Sequence, residues 1–235
     1  MQREKVVVIE DENDILEMIQ YNLKREGYSV LTSTNGEEGL EVARRENPDV
    51  VLLDLMLPGR DGIEVCKRLK SDPLTRSIPV IMVTAKGEES EVVLGLGVGA
   101  DDYVTKPFSP KELMARVRAV LRRGPLKEEL GEGERIVRGD IVIDAARHEV
   151  TVGGRLVTFT ATEFRLLHFL AAHPGRVFKR DQLLNRVIGE DAFVHDRNID
   201  VHVRSIRKKL DEKRDVIETI RGVGYRFRDL KGAVA

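Results

Sequence analysis

The sequence predicts two domains of different class: an α/β doubly wound domain, then a winged helix-turn-helix domain. Three observations carry this prediction. In the first half, near-continuous apolar runs alternate with segments of 3.6-residue periodicity. In the second half, three helical segments end in two β-rich pieces around Gly222-Val223-Gly224. Charge also divides between the halves. Residues 1–133 hold 19 Lys/Arg against 25 Asp/Glu, a net of −6, whereas residues 134–235 hold 20 against 15, a net of +5.

The runs Val6–Ile9, Val50–Leu53 and Val80–Val83 suit strands covered on both faces of a parallel sheet. Between the first two lies a helical stripe at Ile15, Ile19 and Leu23. A short fifth strand is expected at Tyr103–Thr105. Ser109-Pro110-Lys111-Glu112 then offers an N-cap serine, a proline at the first helical position and a capping-box glutamate. Five β–α units imply a (βα)5 sheet with the flavodoxin-like order 2-1-3-4-5. Gly124-Pro125, Gly131 and Gly133 mark a linker over 124–133, so the domains are expected at 1–123 and 134–235.

In the second domain, strands are expected at Ile141–Ile143, His148–Val152 and Leu156–Phe159, with Gly153-Gly154 as a hairpin turn. Thr160-Ala161-Thr162-Glu163 is a capping box opening a helix towards Ala172. Further helices follow at Arg180–Val187 and Arg197–Leu210, then strands at Val216–Ile220 and Tyr225–Phe227.

Hydrophobic residues make up 41% and charged residues 34%, a soluble globular balance. No apolar run approaches the ~18 residues that span a bilayer. The first apolar run is too short for an export signal, so a cytoplasmic location without membrane contact is expected. The single cysteine, Cys66, has no partner for a disulfide or a Cys-based zinc site. The basic second half suits a polyanionic partner.

In an open parallel sheet, ligands bind beyond the carboxyl ends of the strands. Glu10 and Asp11 follow the first strand, Asp54 the third, Thr84 the fourth and Lys106 the fifth. The order 2-1-3-4-5 sets the first and third strands side by side and brings Glu10, Asp11 and Asp54 together. Converging carboxylates require a cation, and hard oxygen ligands with open positions suit Mg²⁺. A carboxylate beside Mg²⁺ can attack phosphorus and form an acyl phosphate. Lys106 supplies positive charge to phosphoryl oxygens, Thr84 a hydroxyl donor, and the small Ala85 leaves room for the incoming group. Singly, each of these residues is as well explained as a helix cap; together at corresponding strand ends they point to chemistry.

The stretches Val8–Glu12, Leu53–Gly59, Val83–Ala85 and Gly99–Phe108 resemble the receiver domain of two-component response regulators over roughly residues 4–122. The resemblance implies phosphorylation of Asp54 by a sensor histidine kinase. It implies Mg²⁺, with Mn²⁺ as a substitute, held by Glu10, Asp11, Asp54 and the backbone carbonyl of Met56. It also implies a cis Lys106–Pro107 bond, and a switch in which Thr84 moves to the phosphoryl group while Tyr103 turns inward. A symmetric dimer on phosphorylation is implied too, with Asp101, Asp102, Glu112, Arg116 and Arg118 on its surface. Val92 and Gly97, in the helix before the fifth strand, depart from the charged residues usual at that interface.

In the third C-terminal helix, Ile199, Val203, Ile206 and Leu210 form one apolar stripe. Asn198, His202, Ser205 and Lys209 are expected opposite it, with Arg197, Arg204, Arg207 and Lys208 nearby; His202 by itself is better read as structural or phosphate-facing than as a base reader. Such a helix suits a DNA major groove, and equally a solvated amphipathic surface. Thr160–Leu167, Asp196–Leu210 and Thr219–Phe227 are similar to the OmpR/PhoB-type effector over roughly residues 134–229. This implies promoter DNA with repeated half-sites as partner, Arg221 at a minor groove, and contact with RNA polymerase. Glu88-Glu89, Lys106–Leu113 and His168…His173-Pro174 resemble the branch acting on phosphate-responsive genes. Ser205 departs from a DNA-contacting arginine, and Ile188 from a tryptophan in the polymerase-contacting loop.

Two other functions compete. A haloacid-dehalogenase-type phosphatase needs an acid/base Asp two residues after its nucleophile, and here Met56 stands there. The other is a DNA binder with a vestigial receiver, which the complete acidic set disfavours. The chain is therefore expected not to be an enzyme beyond its own phosphorylation and dephosphorylation.

Overall fold

A computed structural model describes residues 3–59, 61–85, 95, 97–121, 135–188 and 197–229. The side chains of Ala85, Ile188, Arg197 and Asn198 lie outside that description, as do Val92 and the expected linker over 124–133. The described residues form two compact units, one ending with the helix to Leu121 and one starting at Arg135.

The first unit is a five-stranded parallel sheet in the order β2-β1-β3-β4-β5. Its strands are β1 (Lys5–Ile9), β2 (Ser29–Ser33), β3 (Val50–Asp54), β4 (Val80–Ala85) and β5 (Asp102–Lys106). The helices bounded within the described residues are α1 (Asn13–Arg25), α2 (Gly36–Glu46), α3 (Gly62–Ser71) and α4 (Pro110–Leu121), and Gly95, Gly97 and Val98 are also helical. Every residue of β3 is buried, which explains why its apolar pattern is continuous. Alternate strand residues Val6, Val8, Val50, Leu52, Ile81, Val83 and Val104 form one core layer with Ile19 and Leu23 of α1 and Leu113 and Val117 of α4. Each such side chain contributes about 1.5–3 kcal/mol by leaving water.

Two helix starts set the rim of the sheet. Asp61 caps α3 by accepting from Ile63 N at 2.8 Å. Gly62 N donates to Leu55 O at 2.9 Å, so α3 begins hard against the end of β3. A Cβ on Gly62 would lie 2.2 Å from the Asp54 carbonyl oxygen, which only glycine avoids. Ser109 Oγ accepts from Glu112 N at 3.1 Å, as the capping motif predicts. The Lys106–Pro107 bond is cis, as the resemblance implies.

The second unit opens with a four-stranded antiparallel sheet, β6 (Arg135–Arg138), β7 (Ile141–Asp144), β8 (Glu149–Val152) and β9 (Arg155–Val157). β8 and β9 turn through Gly153 and Gly154 at φ 56° and 79°. Three helices follow: α5 (Ala161–Ala172), α6 (Arg180–Ile188) and α7 (Arg197–Leu210). A 3₁₀ turn (Asp211–Val216) leads to the hairpin β11 (Ile217–Ile220) and β12 (Gly224–Phe227), with β10 (Phe178–Lys179) on the free side of β12. This is a winged helix-turn-helix. β6 and β10 were not apparent in the sequence pattern. The expected capping box at Thr160 and Glu163 is complete, and the stripe Ile199, Val203, Ile206 and Leu210 is fully buried.

Candidate functional site

Ile9 and Leu53 are register partners, so Glu10 and Asp54 emerge side by side where β1 and β3 end. Both are 1% exposed. Lys106, at the end of β5, reaches across β4 to them. Its Nζ donates to Asp54 Oδ2 at 2.8 Å, Glu12 Oε1 at 2.9 Å and Glu10 Oε1 at 3.0 Å. Met56 N donates to Asp54 Oδ1 at 3.0 Å, which fixes the carboxylate from the other side. Thr84 is buried at the end of β4, level with Thr105, and Ala85 is the register partner of Lys106.

Burial pushes the Glu10 carboxyl up to about 7, with Asp54 adding to the rise and Lys106 opposing it. Burial disfavours the Lys106 ammonium, but its bonds to Asp54, Glu12 and Glu10 prevail and raise it above its ordinary value. Oxygen atoms of Glu10, Glu12 and Asp54 lie within 4.8 Å of one another. Glu10 Oε2 is buried without a hydrogen-bond partner among the described residues. Hard anionic donors around an unsatisfied buried oxygen fit a divalent cation such as Mg²⁺ or Mn²⁺. Of the expected ligands, Glu10 and Asp54 converge. Asp11 is half-buried beside them and does not join the group, while Glu12, not singled out from the sequence, does.

The expected dimer surface needs correction. Asp101 and Asp102 are fully buried and Arg116 is 4% exposed. Asp101 Oδ2 accepts from Lys70 Nζ at 2.7 Å and Val80 N at 2.9 Å. Asp102 accepts from Arg116 Nη1 at 3.1 and 3.2 Å, and Arg116 Nη2 donates to Glu112 at 2.9 Å. Buried charges must be paired, and these are paired within one chain. Arg118 is half-exposed and binds Glu26 at 2.9 Å. Tyr103 is half-buried with the Arg116 guanidinium 5.9 Å from its ring centre. Gly97 is exposed, with open space at its missing Cβ.

The expected DNA-facing set also divides. His202 is fully buried and is not available to DNA. It lies three residues after Ile199 and four before Ile206, which places it in the apolar stripe rather than opposite it. Ser205 Oγ donates to Glu163 Oε1, and Lys209 Nζ binds Glu163 Oε2 at 2.5 Å. Arg207 donates to Ile217 O at 2.7 Å and Thr219 Oγ1 at 2.8 Å, 5.6 Å above Tyr225, so it ties α7 to the hairpin. Arg204, Lys208 and Arg221 are exposed as expected. Arg197 and Asn198 have side chains outside the described residues.

Glu163 was legible only as a cap. It is also the buried anion that gathers Thr160 N, Ser205 and Lys209, and the apolar run around it was the signal of that burial. Asp200 was missed as well: it accepts from Arg180 at 2.7 Å and from the Tyr225 hydroxyl at 2.9 Å, joining α6, α7 and β12.

Residues 6–118 match the family model of the response regulator receiver domain. Residues 154–227 match that of the transcriptional regulatory protein, C terminal. The chain is 50% identical over 223 residues to the phosphate regulon transcriptional regulatory protein PhoB of Rhizobium meliloti, covering 94% of this chain and 97% of that one. It is 46% identical to the PhoB of Pseudomonas aeruginosa, over 94% and 96% of the two chains. It is 45% identical to the alkaline phosphatase synthesis transcriptional regulatory protein PhoP of Bacillus subtilis, over 97% and 98%. Among solved structures, a RitR mutant superposes with a TM-score of 0.77 at 25% identity, over 96% of this chain and 99% of that one. A response regulator described as putative in Chloroflexus aurantiacus matches with a TM-score of 0.50 at 37% identity, over 52% and 99%. No helix among the described residues is long and apolar enough to cross a membrane.

Proposed function

From the premise that the chain belongs to the OmpR/PhoB family of two-component response regulators, we propose that Asp54 accepts a phosphoryl group from a sensor histidine kinase and that this state controls binding to promoter DNA. The names of the relatives point to phosphate-responsive genes as the targets. A regulator that meets promoter DNA works in the cytoplasm on this reading. The observation that carries the reading is the setting of Asp54. It is a buried carboxylate at a strand end, held by a backbone amide on one oxygen and by Lys106 on the other.

In the proposed step, an Asp54 carboxylate oxygen forms a bond to phosphorus as the P–N bond to the kinase imidazole breaks; the electron pair stays on the departing nitrogen, which takes a proton from solvent or leaves as neutral imidazole already protonated on its other nitrogen. Glu10, Asp54 and the Met56 carbonyl, with Asp11 or Glu12 nearby, would hold Mg²⁺, which would supply positive charge to offset the charge on the phosphoryl oxygens. Lys106, already 2.8 Å from Asp54, transfers its hydrogen bond to a phosphoryl oxygen. The Thr84 hydroxyl, buried at the neighbouring strand end, supplies a second donor. Tyr103 then repacks and biases the unit towards a dimer through faces that include Glu112 and Arg118. Two tethered effector units bind paired half-sites at raised effective concentration. On α7 and the hairpin, Arg204, Lys208 and Arg221 are the exposed cations that meet DNA, with RNA polymerase a further partner.

The test is incubation with acetyl phosphate and Mg²⁺, followed by DNA binding to a palindromic or direct-repeat promoter library. The reading expects one phosphoryl group per chain and tighter DNA binding. Absence of both in wild-type protein overturns it.

A further inference from the structure

We propose that Glu12 is a positioning residue for Lys106: it keeps the ammonium at the mouth of the pocket when Glu10 and Asp54 turn to a cation. This rests on the reading of Asp54 as the phosphoryl acceptor and names a residue that the reading does not require.

An ammonium has three N–H donors. Lys106 has three carboxylate acceptors within 3.0 Å, Asp54, Glu12 and Glu10, so its donors are saturated. The three acceptors are not equivalent. Glu10 and Asp54 side chains are 1% exposed, whereas the Glu12 side chain is 61% exposed on a Lys106 side chain that is 15% exposed. Two buried carboxylates that take a cation must loosen their hold on a second positive charge beside it. Glu12, at the solvent side, is the acceptor that can retain Lys106 through that exchange.

A separate observation comes from α1. Glu12 occupies its N-cap position, with φ −76° and ψ 104°, yet makes no side-chain capping bond. Its backbone N–H donates instead to Glu10 Oε1 at 3.3 Å, and its carboxylate goes to Lys106. Ser, Thr, Asp or Asn would serve the helix better at this position. The residue is therefore matched to the pocket rather than to the helix it precedes.

Removing the Glu12 charge leaves Lys106 to pair fully with Glu10 and Asp54, as a stronger competitor of the cation. It also removes one carboxylate from the cluster, and both effects weaken cation binding.

The experiment is a calorimetric Mg²⁺ titration of the full chain with wild type, Glu12→Gln, Lys106→Met and the double variant, each checked by thermal unfolding. Glu12→Gln is expected to weaken Mg²⁺ binding about fivefold, as for loss of one partly screened charge near the site. In the Lys106→Met background the same change is expected to have less than half that effect on a logarithmic scale, because Glu12 acts through Lys106. Equal binding by wild type and Glu12→Gln overturns the proposal. So does an undiminished effect without the lysine, which would mean that Glu12 acts on the cation directly. If Lys106→Met does not fold, Lys106→Gln replaces it in the cycle. Labelling by acetyl phosphate, run in parallel, separates the two readings. Unlabelled wild type with a positive cycle defeats the acceptor role of Asp54 alone, and labelled wild type with a flat cycle defeats the role of Glu12 alone.

Discussion

The pocket of the first unit and the third helix of the second unit both looked, in the sequence, like concentrations of charge ready for a partner. The pocket remains so when folded. Three carboxylates share one ammonium, and Glu10 Oε2 has no hydrogen-bond partner among the described residues. The helix does not. His202 is in the core, Ser205 and Lys209 are held by Glu163, and Arg207 is held by the hairpin. In the pocket, charge is left short of partners and awaits one. Along α7, most polar groups are consumed in joining α7 to α5 and to the wing, which leaves Arg204 and Lys208 as its exposed cations with described side chains.

The difference can be broken or sharpened by experiment. The largest effect is expected where charge is fully paired and fully buried. Asp101→Ala removes the carboxylate partner of Lys70, whose side chain is 4% exposed and keeps only its bond to the Ile78 carbonyl among the hydrogen bonds described, and should lower stability by about 3–5 kcal/mol in urea unfolding. A loss under 1 kcal/mol would mean that the pair is not a structural element.

The pocket should instead respond to pH. Cation binding requires an ionised Glu10, whose carboxyl is pushed up to about 7 by burial and by Asp54. Mg²⁺ affinity should therefore rise roughly tenfold from pH 6 to pH 8, since each pH unit below the folded pKa costs about 1.4 kcal/mol of ionisation. The stability of the metal-free fold moves the other way. The folded state holds this proton more tightly than the unfolded one, so this group lowers stability as pH rises from its ordinary value towards 7 and adds no further loss above it. A Mg²⁺ affinity independent of pH across this window would remove Glu10 from the cation site.

On α7 the effects should be smaller and selective. Arg204→Ala and Lys208→Ala should each weaken DNA binding at all sequences and lower the salt slope by about 1. An unchanged slope for both would take this helix off the phosphates. Ser205→Ala should leave the salt slope unchanged, because its hydroxyl faces Glu163. A slope that moves with Ser205 would show that the helix meets DNA on a different face.

The same contrast accounts for what could be read beforehand. Strand-end residues are placed by topology: once Val6–Ile9 and Val50–Leu53 are neighbouring parallel strands, Glu10 and Asp54 must adjoin. One step beyond the strand that certainty lapses, and Glu12 rather than Asp11 joins the cluster. A helix face is less determined, because successive residues turn through about 100° and a stripe can widen by one position. His202 lies on that margin: its spacing from Ile199 and Ile206 puts it beside the stripe, and the packing of α7 takes it into the core. Asp101 and Asp102 were misplaced because a strand-start Asp looks the same whether it faces solvent or a buried Lys70 or Arg116. β6 escaped notice because Arg135 and Arg138 bracket two apolar residues, and β10 because it has two residues.

The claim on which the rest depends is that Asp54 accepts the phosphoryl group. Wild-type protein and Asp54→Ala should be treated with acetyl phosphate and Mg²⁺, then weighed intact and mapped by peptide mass spectrometry after borohydride reduction of the acyl phosphate. The account predicts a single modification at Asp54 in wild type and none in the variant. Equal incorporation by Asp54→Ala, or a modification at any other carboxylate of wild type, would contradict it.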